Sequence, residues 1–186
     1  MKINIDENTR LELTAQQHAE GLFNAVDKNR AHLSEFLPWV GHMQSVANFS
    51  DYIRYCETLY EQGQEVSFVI ISDEIPVGRI GLHHINAQNK CAAIGYWLAK
   101  SAEGKGIITK SCKALISYGF KEVGLQRIEI KAATGNLKSQ AIPKKLNFNR
   151  EGVLRQAELV NGQFLDLVLY AMLNEEWEQA LLSFEG

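Results

Sequence analysis

Two glycines and two lysines stand together in the stretch AEGKGIITKS, residues 102–111, just before an apolar pattern typical of a helix. Backbone N–H groups at the start of a helix lack intrahelical partners, and the helix dipole adds positive potential there. Glycine also lets a ligand approach the backbone without a Cβ in the way. The stretch therefore suits a phosphate group, although a flexible loop before a helix explains Gly104 and Gly106 equally well.

Two common phosphate-binding motifs do not fit this stretch. A P-loop requires G-x-x-x-x-G-K-[ST], and no such string occurs in the sequence. A dinucleotide fingerprint requires G-x-G-x-x-G, and Thr109 stands where its third glycine belongs. Neither nucleotide-binding fold is therefore predicted.

Length and composition indicate one domain covering residues 1–186. The net charge of −3 argues against a nucleic-acid or anionic-membrane partner. The sequence has no apolar run that could span a bilayer and no apolar segment typical of a signal peptide, so a cytoplasmic protein is expected. The cysteines Cys56, Cys91 and Cys112 are odd in number and widely spaced, which favours reduced thiols, and no metal is expected.

Hydrophobic periodicity predicts the element order β-α-α-β-β-β-α-β-α-β-β. One strand is predicted over Lys2–Leu13, and Ser50 is predicted to cap a later helix. The strand–helix–strand crossover around the glycines implies one parallel pair of strands. These elements predict an α+β fold with a mixed central sheet of about seven strands and helices on both faces.

Four strings carry a resemblance to a known family: IGYWL (94–98), GKGIIT (104–109), Asn136 with Ser139, and EGVLRQAELVNG (151–162). From about residue 9 to 177 the sequence resembles the GNAT acetyltransferase superfamily, and within it the ribosomal-protein-serine N-acetyltransferases. The resemblance implies a GNAT fold and direct transfer of acetyl from acetyl-CoA to an amine. The acceptor it favours is the N-terminal α-amine of a protein or peptide, ribosomal in this branch. The branch also gives a precedent for a homodimer formed through the acceptor side.

The resemblance also assigns residues to acetyl-CoA. The pantetheine would pair with the backbone of the IGYWL strand, and the pyrophosphate would bind amides at the start of the next helix. The cofactor-binding residues implied in this way are Gly95, Tyr96, Trp97, Leu98, Glu103, Gly104, Lys105, Gly106, Ile107, Ile108, Thr109, Asn136 and Ser139. Glu103 departs from the Gln or Arg usual in the family and brings an anionic side chain near the expected pyrophosphate.

Two catalytic residues are implied by the same resemblance: Glu158 as the base that removes the proton of the amine, and Ser139 as the acid that protonates the thiolate. A glutamate has a reference pKa of about 4.3, so burial would have to raise it for this work. Each residue also has a plainer interpretation. Glu158 could be a solvated charge in the loop between strands predicted over Phe148–Leu154 and Phe164–Met172, and Ser139 could only cap a helix.

Further candidates stay open. One of His83 and His84 could act as a base near the acceptor, although a packed or hydrogen-bonded role is commoner. Asp166 could attract a cationic amine or be an edge-strand charge, and acceptor-binding loops are expected at Glu35–Phe49 and around Leu159–Phe164. Two alternatives to the main hypothesis are acetylation of a small amine or antibiotic, and a non-catalytic CoA-binding module.

Overall fold

The computed structural model describes residues 1–184. Its strands are β1 Lys2–Asn4, β2 Thr9–Leu13, β3 Val66–Ser72, β4 Ile75–Asn86, β5 Cys91–Leu98, β6 Arg127–Ala133, β7 Asn149–Val160 and β8 Gln163–Leu173. Its α-helices are α1 Ala19–Asp27, α2 Arg30–Leu33, α3 Val46–Glu61, α4 Ile107–Lys121, α5 Leu137–Lys145 and α6 Asn174–Phe184. The strands form one eight-stranded mixed sheet in the order β1-β2-β3-β4-β5-β6-β8-β7. The predicted α+β fold is confirmed.

The sheet has one strand more than the predicted count because the N-terminal stretch is a hairpin. The segment predicted as a single strand turns back on itself, so that Lys2 pairs with Glu12 and Asn4 with Arg10. The turn is closed by Asp6, whose carboxylate accepts the backbone N–H of Asn8 at 3.2 Å. Polar residues that alternate with apolar ones hid this turn, since a short Asx-type turn interrupts the period only briefly.

Helices cover both faces of the sheet. On one face α4 buries Leu115 and Ile116 against strand residues such as Leu82 and Ile128. On the other face α1 and α3 bury a second cluster, which includes Val69 of β3. Because both of its faces are covered, β3 is buried along its whole length, as its apolar and β-branched sequence predicts.

The parallel pair β5 and β6 separates partway along. Its register runs from Cys91 opposite Arg127 to Ile94 opposite Ile130, and the rest of β5 has no partner in β6. The segment Gly95–Leu98 therefore presents backbone groups along one free side. We call the gap between this segment and residues 131–133 of β6 the β5–β6 opening.

The long hairpin of β7 and β8 contains a bulge next to its tip. Leu154 pairs with Leu167 and Glu158 with Leu165, so residues 155–157 of β7 lie opposite Asp166 alone. Gln156 takes up the left-handed conformation with φ +51. Its backbone N–H donates to the Asp166 carboxylate at 2.8 Å. Bulges of this kind bend a strand and re-aim the side chains that follow.

Candidate active site

The glycine stretch forms a shallow cradle of backbone amides at the start of α4. Gly104 and Gly106 have φ +77 and +74, and Gly106 is the residue that precedes the first helical turn. The first amide to bond within the helix is that of Lys110, which donates to the Gly106 carbonyl at 3.0 Å. The amides of residues 104–109 have no acceptor among residues 1–184. They are donors that an anion could use.

Glu103, the acidic residue of this cradle, is held by Lys138 and His32. One carboxylate oxygen lies 2.6 Å from Nζ of Lys138 and the other 3.0 Å from Nε2 of His32. Burial alone would raise the pKa of Glu103, but the hydrogen bond from Lys138 and the charges of His32 and Lys138 outweigh it and lower the pKa. The carboxylate thus stays ionised and paired, directed at neighbouring side chains.

The free segment of β5 offers its backbone, while its larger side chains are engaged elsewhere. The indole of Trp97 is buried in the cluster under α1 and α3, 5.9 Å from the ring of Trp39. The Tyr96 hydroxyl donates to the carbonyl oxygen of Ser139 at 2.9 Å. Ile107 and Ile108, at the start of α4, are likewise core residues. Any ligand in the β5–β6 opening would therefore meet main-chain groups on this side.

Asn136 and Ser139 lie together at the start of α5. Asn136 is the cap of this helix, and its Oδ1 accepts the backbone N–H of Ser139 at 3.0 Å. Its Nδ2 has no acceptor among residues 1–184 and is left as a donor. The Ser139 hydroxyl donates to the Tyr96 hydroxyl at 3.2 Å, so Ser139 is not the cap that its plainer interpretation required.

Glu158 lies in β7, directly after the bulge, and not in a loop. Its carboxylate is half-buried and has no ion pair or hydrogen bond to any residue in 1–180. Burial alone raises the pKa of Glu158. A carboxylate without a partner and with a raised pKa accepts a proton more readily than an ordinary glutamate does.

The tip of the β7–β8 hairpin reaches across to α2. The Asn161 side-chain amide donates at 2.8 Å to the carbonyl of Ser34, the residue just before the predicted acceptor-binding segment Glu35–Phe49. Two large apolar side chains are exposed at this tip, Leu159 at 51% and Phe164 at 63%. The hairpin that carries Glu158 therefore has an apolar tip, and this tip contacts the segment after α2.

The other candidate residues, His83, His84 and Asp166, lie in different environments. His83 is half-buried and bonds to Glu65 through Nδ1 at 2.9 Å, whereas His84 is exposed in a left-handed conformation with φ +54. The Asp166 carboxylate is used by the bulge, as described above. Sequence reasoning missed the partners of Glu103 and the pairing of Tyr96 with Ser139. These contacts join residues 35 to 71 positions apart, and no local pattern announces them.

No group of three or more His, Cys, Asp or Glu side chains lies close enough together to hold a metal ion within residues 1–184. None of the helices described is both long and apolar enough to cross a membrane. The three cysteines are unpaired, and burial raises the pKa of the Cys112 thiol in the core under α4.

The sheet is mixed, its parallel pair of strands separates partway along, and the amide cradle lies beside this separation. These features define the class of protein to which the chain is similar. The model of the acetyltransferase (GNAT) domain matches residues 9–149. The candidate ribosomal N-acetyltransferase YdaF of Bacillus subtilis (strain 168) is 36% identical over 175 residues, which cover 94% of this chain and 96% of YdaF. The ribosomal-protein-serine acetyltransferase of Escherichia coli (strain K12) is 32% identical over 171 residues, covering 92% and 96% of the two chains.

A solved structure agrees with these sequence relatives. RimL, a ribosomal L7/L12 alpha-N-protein acetyltransferase in complex with coenzyme A, superposes with a TM-score of 0.91 and 28% identity over 95% of this chain and 99% of RimL. The chain belongs to the GNAT acetyltransferase family. It is an acetyl-CoA-dependent N-acetyltransferase.

The residues present fit acetyl-CoA as the substrate. A Cβ on Gly104 or Gly106 would meet open space, so the approach to the amides is clear. The free side of Gly95–Leu98 can pair with an amide chain such as pantetheine in the manner of an added strand. Asn136 keeps a free amide donor at the other side of the β5–β6 opening.

Proposed function

We propose that this enzyme acetylates the N-terminal α-amine of a protein, and that its acceptor is a ribosomal protein. The observation that carries the proposal is Glu158, an unpaired and half-buried carboxylate on a hairpin that closes against α2. The names of the Escherichia coli relative and of RimL support the acceptor class.

The acceptor class also agrees with the strength of the base. An α-amine has a reference pKa of about 7.7, so a useful fraction is neutral at physiological pH, whereas a lysine amine has a pKa of about 10.4. Glu158 has a raised pKa but remains a weak base compared with a lysine amine. An α-amine therefore demands less of Glu158 than a lysine side chain does.

In the proposed reaction Glu158 accepts a proton from the amine as the C–N bond forms. Ser139 donates its hydroxyl proton to the departing thiolate, and for this step its O–H turns away from the Tyr96 hydroxyl that accepts it in the structure. The amides of residues 104–109 bind the pyrophosphate, and Gly95–Leu98 binds the pantetheine. Lys105 is exposed in the cradle and adds positive charge there.

The exposed tip of the hairpin supports a peptide acceptor over a small amine. Leu159 and Phe164 are large apolar side chains that would be idle beside a small polycation but could pack on the first residues of a peptide. Glu158 lies on the same hairpin, within the strand that leads to this tip.

Paired peptides test the proposal. One peptide has a free serine α-amine and a blocked lysine, and the other has a blocked α-amine and a free lysine. Release of CoA thiol with the first peptide only is expected. Equal or greater release with the second peptide, with spermidine or with an aminoglycoside would overturn the proposed acceptor. Absence of release with every amine would favour the non-catalytic alternative.

A further inference from the structure

A chain of hydrogen-bonded side chains lies on one face of the sheet and has no role in the reaction proposed above. Arg79 of β4 donates to Oε1 of Glu65 at 2.7 Å, and Nδ1 of His83 lies 2.9 Å from Oε2 of the same carboxylate. Arg79 and Glu65 are both buried, whereas the side chain of His83 keeps 24% of its surface exposed. The chain thus runs from the interior outward and ends at an imidazole.

The inner part of this chain is fixed. The guanidinium of Arg79 also bonds to Tyr52, Cys56 and Ser67, and it lies over the Tyr52 ring. Burial alone would raise the pKa of Glu65, but the hydrogen bond from His83 and the charge of Arg79 outweigh it and lower the pKa. Glu65 is therefore a permanent anion against the imidazole.

A permanent anion at Nδ1 decides which ring nitrogen of His83 can take up a proton. The neutral imidazole donates its Nδ1–H to Glu65, which leaves Nε2 with a free lone pair. No residue in 1–184 forms a hydrogen bond to Nε2. Protonation of Nε2 would give an imidazolium that Glu65 stabilises directly.

The imidazole lies at the point where β5 leaves β6. A Cβ on Gly95 would come within 3.2 Å of Cδ2 and 3.3 Å of Nε2 of His83. A Cβ on Gly81, its partner across the ladder, would come within 3.0 Å of Nε2. Because Gly81 and Gly95 have no side chains, they leave room for the His83 ring next to Gly95, the first residue of the free β5 segment.

His83 and Glu158 project from the same face of the sheet. Residues paired across a ladder share a face, and so do residues two apart on one strand. The pairs that link the two residues are His83 with Ala93, Ala93 with Glu129, Ala133 with Leu167, and Leu165 with Glu158. His83 lies on the β5 side of the β5–β6 opening, and Glu158 lies on the hairpin beyond the end of β6.

The reaction releases two protons from the acceptor nitrogen. An ammonium R–NH3⁺ must lose one proton before its lone pair can attack, and a second as the amide R–NH–COCH3 forms. Ser139 supplies one proton to the thiolate and regains one through solvent from the carboxyl group that took the second proton, so the net products are one amide, one CoA thiol and one proton for solvent. Glu158 can accept only one of the two protons.

Resting on the proposed function, we propose that His83 accepts the first of these two protons. The ammonium gives its proton to Nε2, the imidazolium is stabilised by Glu65, and the proton passes to solvent from the exposed edge of the ring. Glu158 then accepts the second proton as the C–N bond forms.

Two acceptors that differ in basicity test this role. One is a short peptide with a free serine α-amine. The other is the same peptide with an N-terminal aminooxy group, which is weakly basic and already neutral at neutral pH. The variant is His83→Gln, since Gln keeps an N–H for Glu65 but takes up no proton. His84→Asn is the matched control, because His84 is exposed and Asn tolerates its positive φ.

At about pH 6, where nearly all of an α-amine with a pKa of about 7.7 is protonated, we expect His83→Gln to lower kcat/KM for the serine peptide by at least about tenfold. Its kcat/KM for the aminooxy peptide should stay within a factor of about two, as should both values for His84→Asn. An equal loss for both acceptors, or no loss for either, would overturn the role of His83. Wild-type protein that acetylates neither peptide would instead overturn the proposed function.

Discussion

Lys138 Nζ lies 2.6 Å from a carboxylate oxygen of Glu103, and this contact joins the loop before α4 to the start of α5. The other carboxylate oxygen bonds to His32 of α2, 3.0 Å away. The one acidic residue between 99 and 110 is thus paired with side chains from two other elements. Because Lys138 is paired with Glu103, its charge is less available to a bound anion.

Glu103→Gln should therefore strengthen the binding of acetyl-CoA. The substitution removes a negative charge beside the amide cradle and frees Lys138. A partly exposed charge at this range contributes about 1 kcal/mol, which corresponds to about fivefold in Kd. Calorimetric titration with acetyl-CoA measures the change. Weaker binding by the variant would mean that Glu103 holds Lys138 in its binding position.

Gly106→Ala should weaken acetyl-CoA binding by more than about tenfold, because the new Cβ stands where the pyrophosphate must approach. Gly124→Ala is the matched control at the opposite end of α4, since it has the same φ of +74 and the same open surroundings. Both variants should lose about 1 kcal/mol of stability from the left-handed conformation. Equal acetyl-CoA affinity in the two variants would contradict the cradle.

Glu158→Gln should lower kcat by about a hundredfold and leave the Kd of acetyl-CoA unchanged. Because burial raises the pKa of Glu158, the wild-type rate should fall as the pH drops through that raised value, and the variant should lack this acidic limb. Steady-state rates across the pH range provide the measurement. A variant with the wild-type profile would remove Glu158 from the reaction.

The same substitution should not lower the melting temperature at neutral pH. A carboxyl group whose folded pKa is raised stabilises the fold below its unfolded pKa and loses this contribution as the pH rises through the folded value. At neutral pH the half-buried charge of Glu158 is therefore a cost to stability, which Gln removes. A lower melting temperature would indicate a structural contact for Glu158.

Ser139→Ala and Tyr96→Phe should both lower kcat, because the first removes the proposed acid and the second removes the hydroxyl that positions it. The effect of Tyr96→Phe should be the smaller, at about tenfold, since Ser139 itself remains. Acetyl-CoA affinity should be unchanged in both variants. Loss of affinity together with kcat would mean that the pair shapes the β5–β6 opening instead.

Local patterns left the glycine stretch open between an anion-binding site and a flexible loop, and they did not give every element boundary. Positive φ at Gly104 and Gly106 follows from residue type and position before an apolar helix. The start of α3 was predicted wrongly at Ser50, because Ser45 and Ser50 are both capping residues. Ser45 prevails through a reciprocal contact in which its Oγ accepts the Asn48 N–H at 3.2 Å and donates to Asn48 Oδ1 at 2.9 Å.

The environment of Glu158 lay beyond sequence reasoning for a different reason. The predicted β7 ended at Leu154, since the bulge at residues 155–157 interrupts the period of the strand. Only pairing with β8 restores the strand and places Glu158 within it. The ion pairs of Glu103 are likewise decided by tertiary contacts, because His32 and Lys138 lie on separate helices.

The central claim is transfer of acetyl to an α-nitrogen, and one peptide that carries both kinds of amine tests it most directly. A serine-initiated peptide with a free α-amine and one free lysine is incubated with the wild-type enzyme and acetyl-CoA. Fragmentation mass spectrometry then locates the added acetyl group. The account predicts a single acetyl group on the serine nitrogen. An acetyl group on the lysine side chain, with the serine nitrogen unmodified, would contradict it.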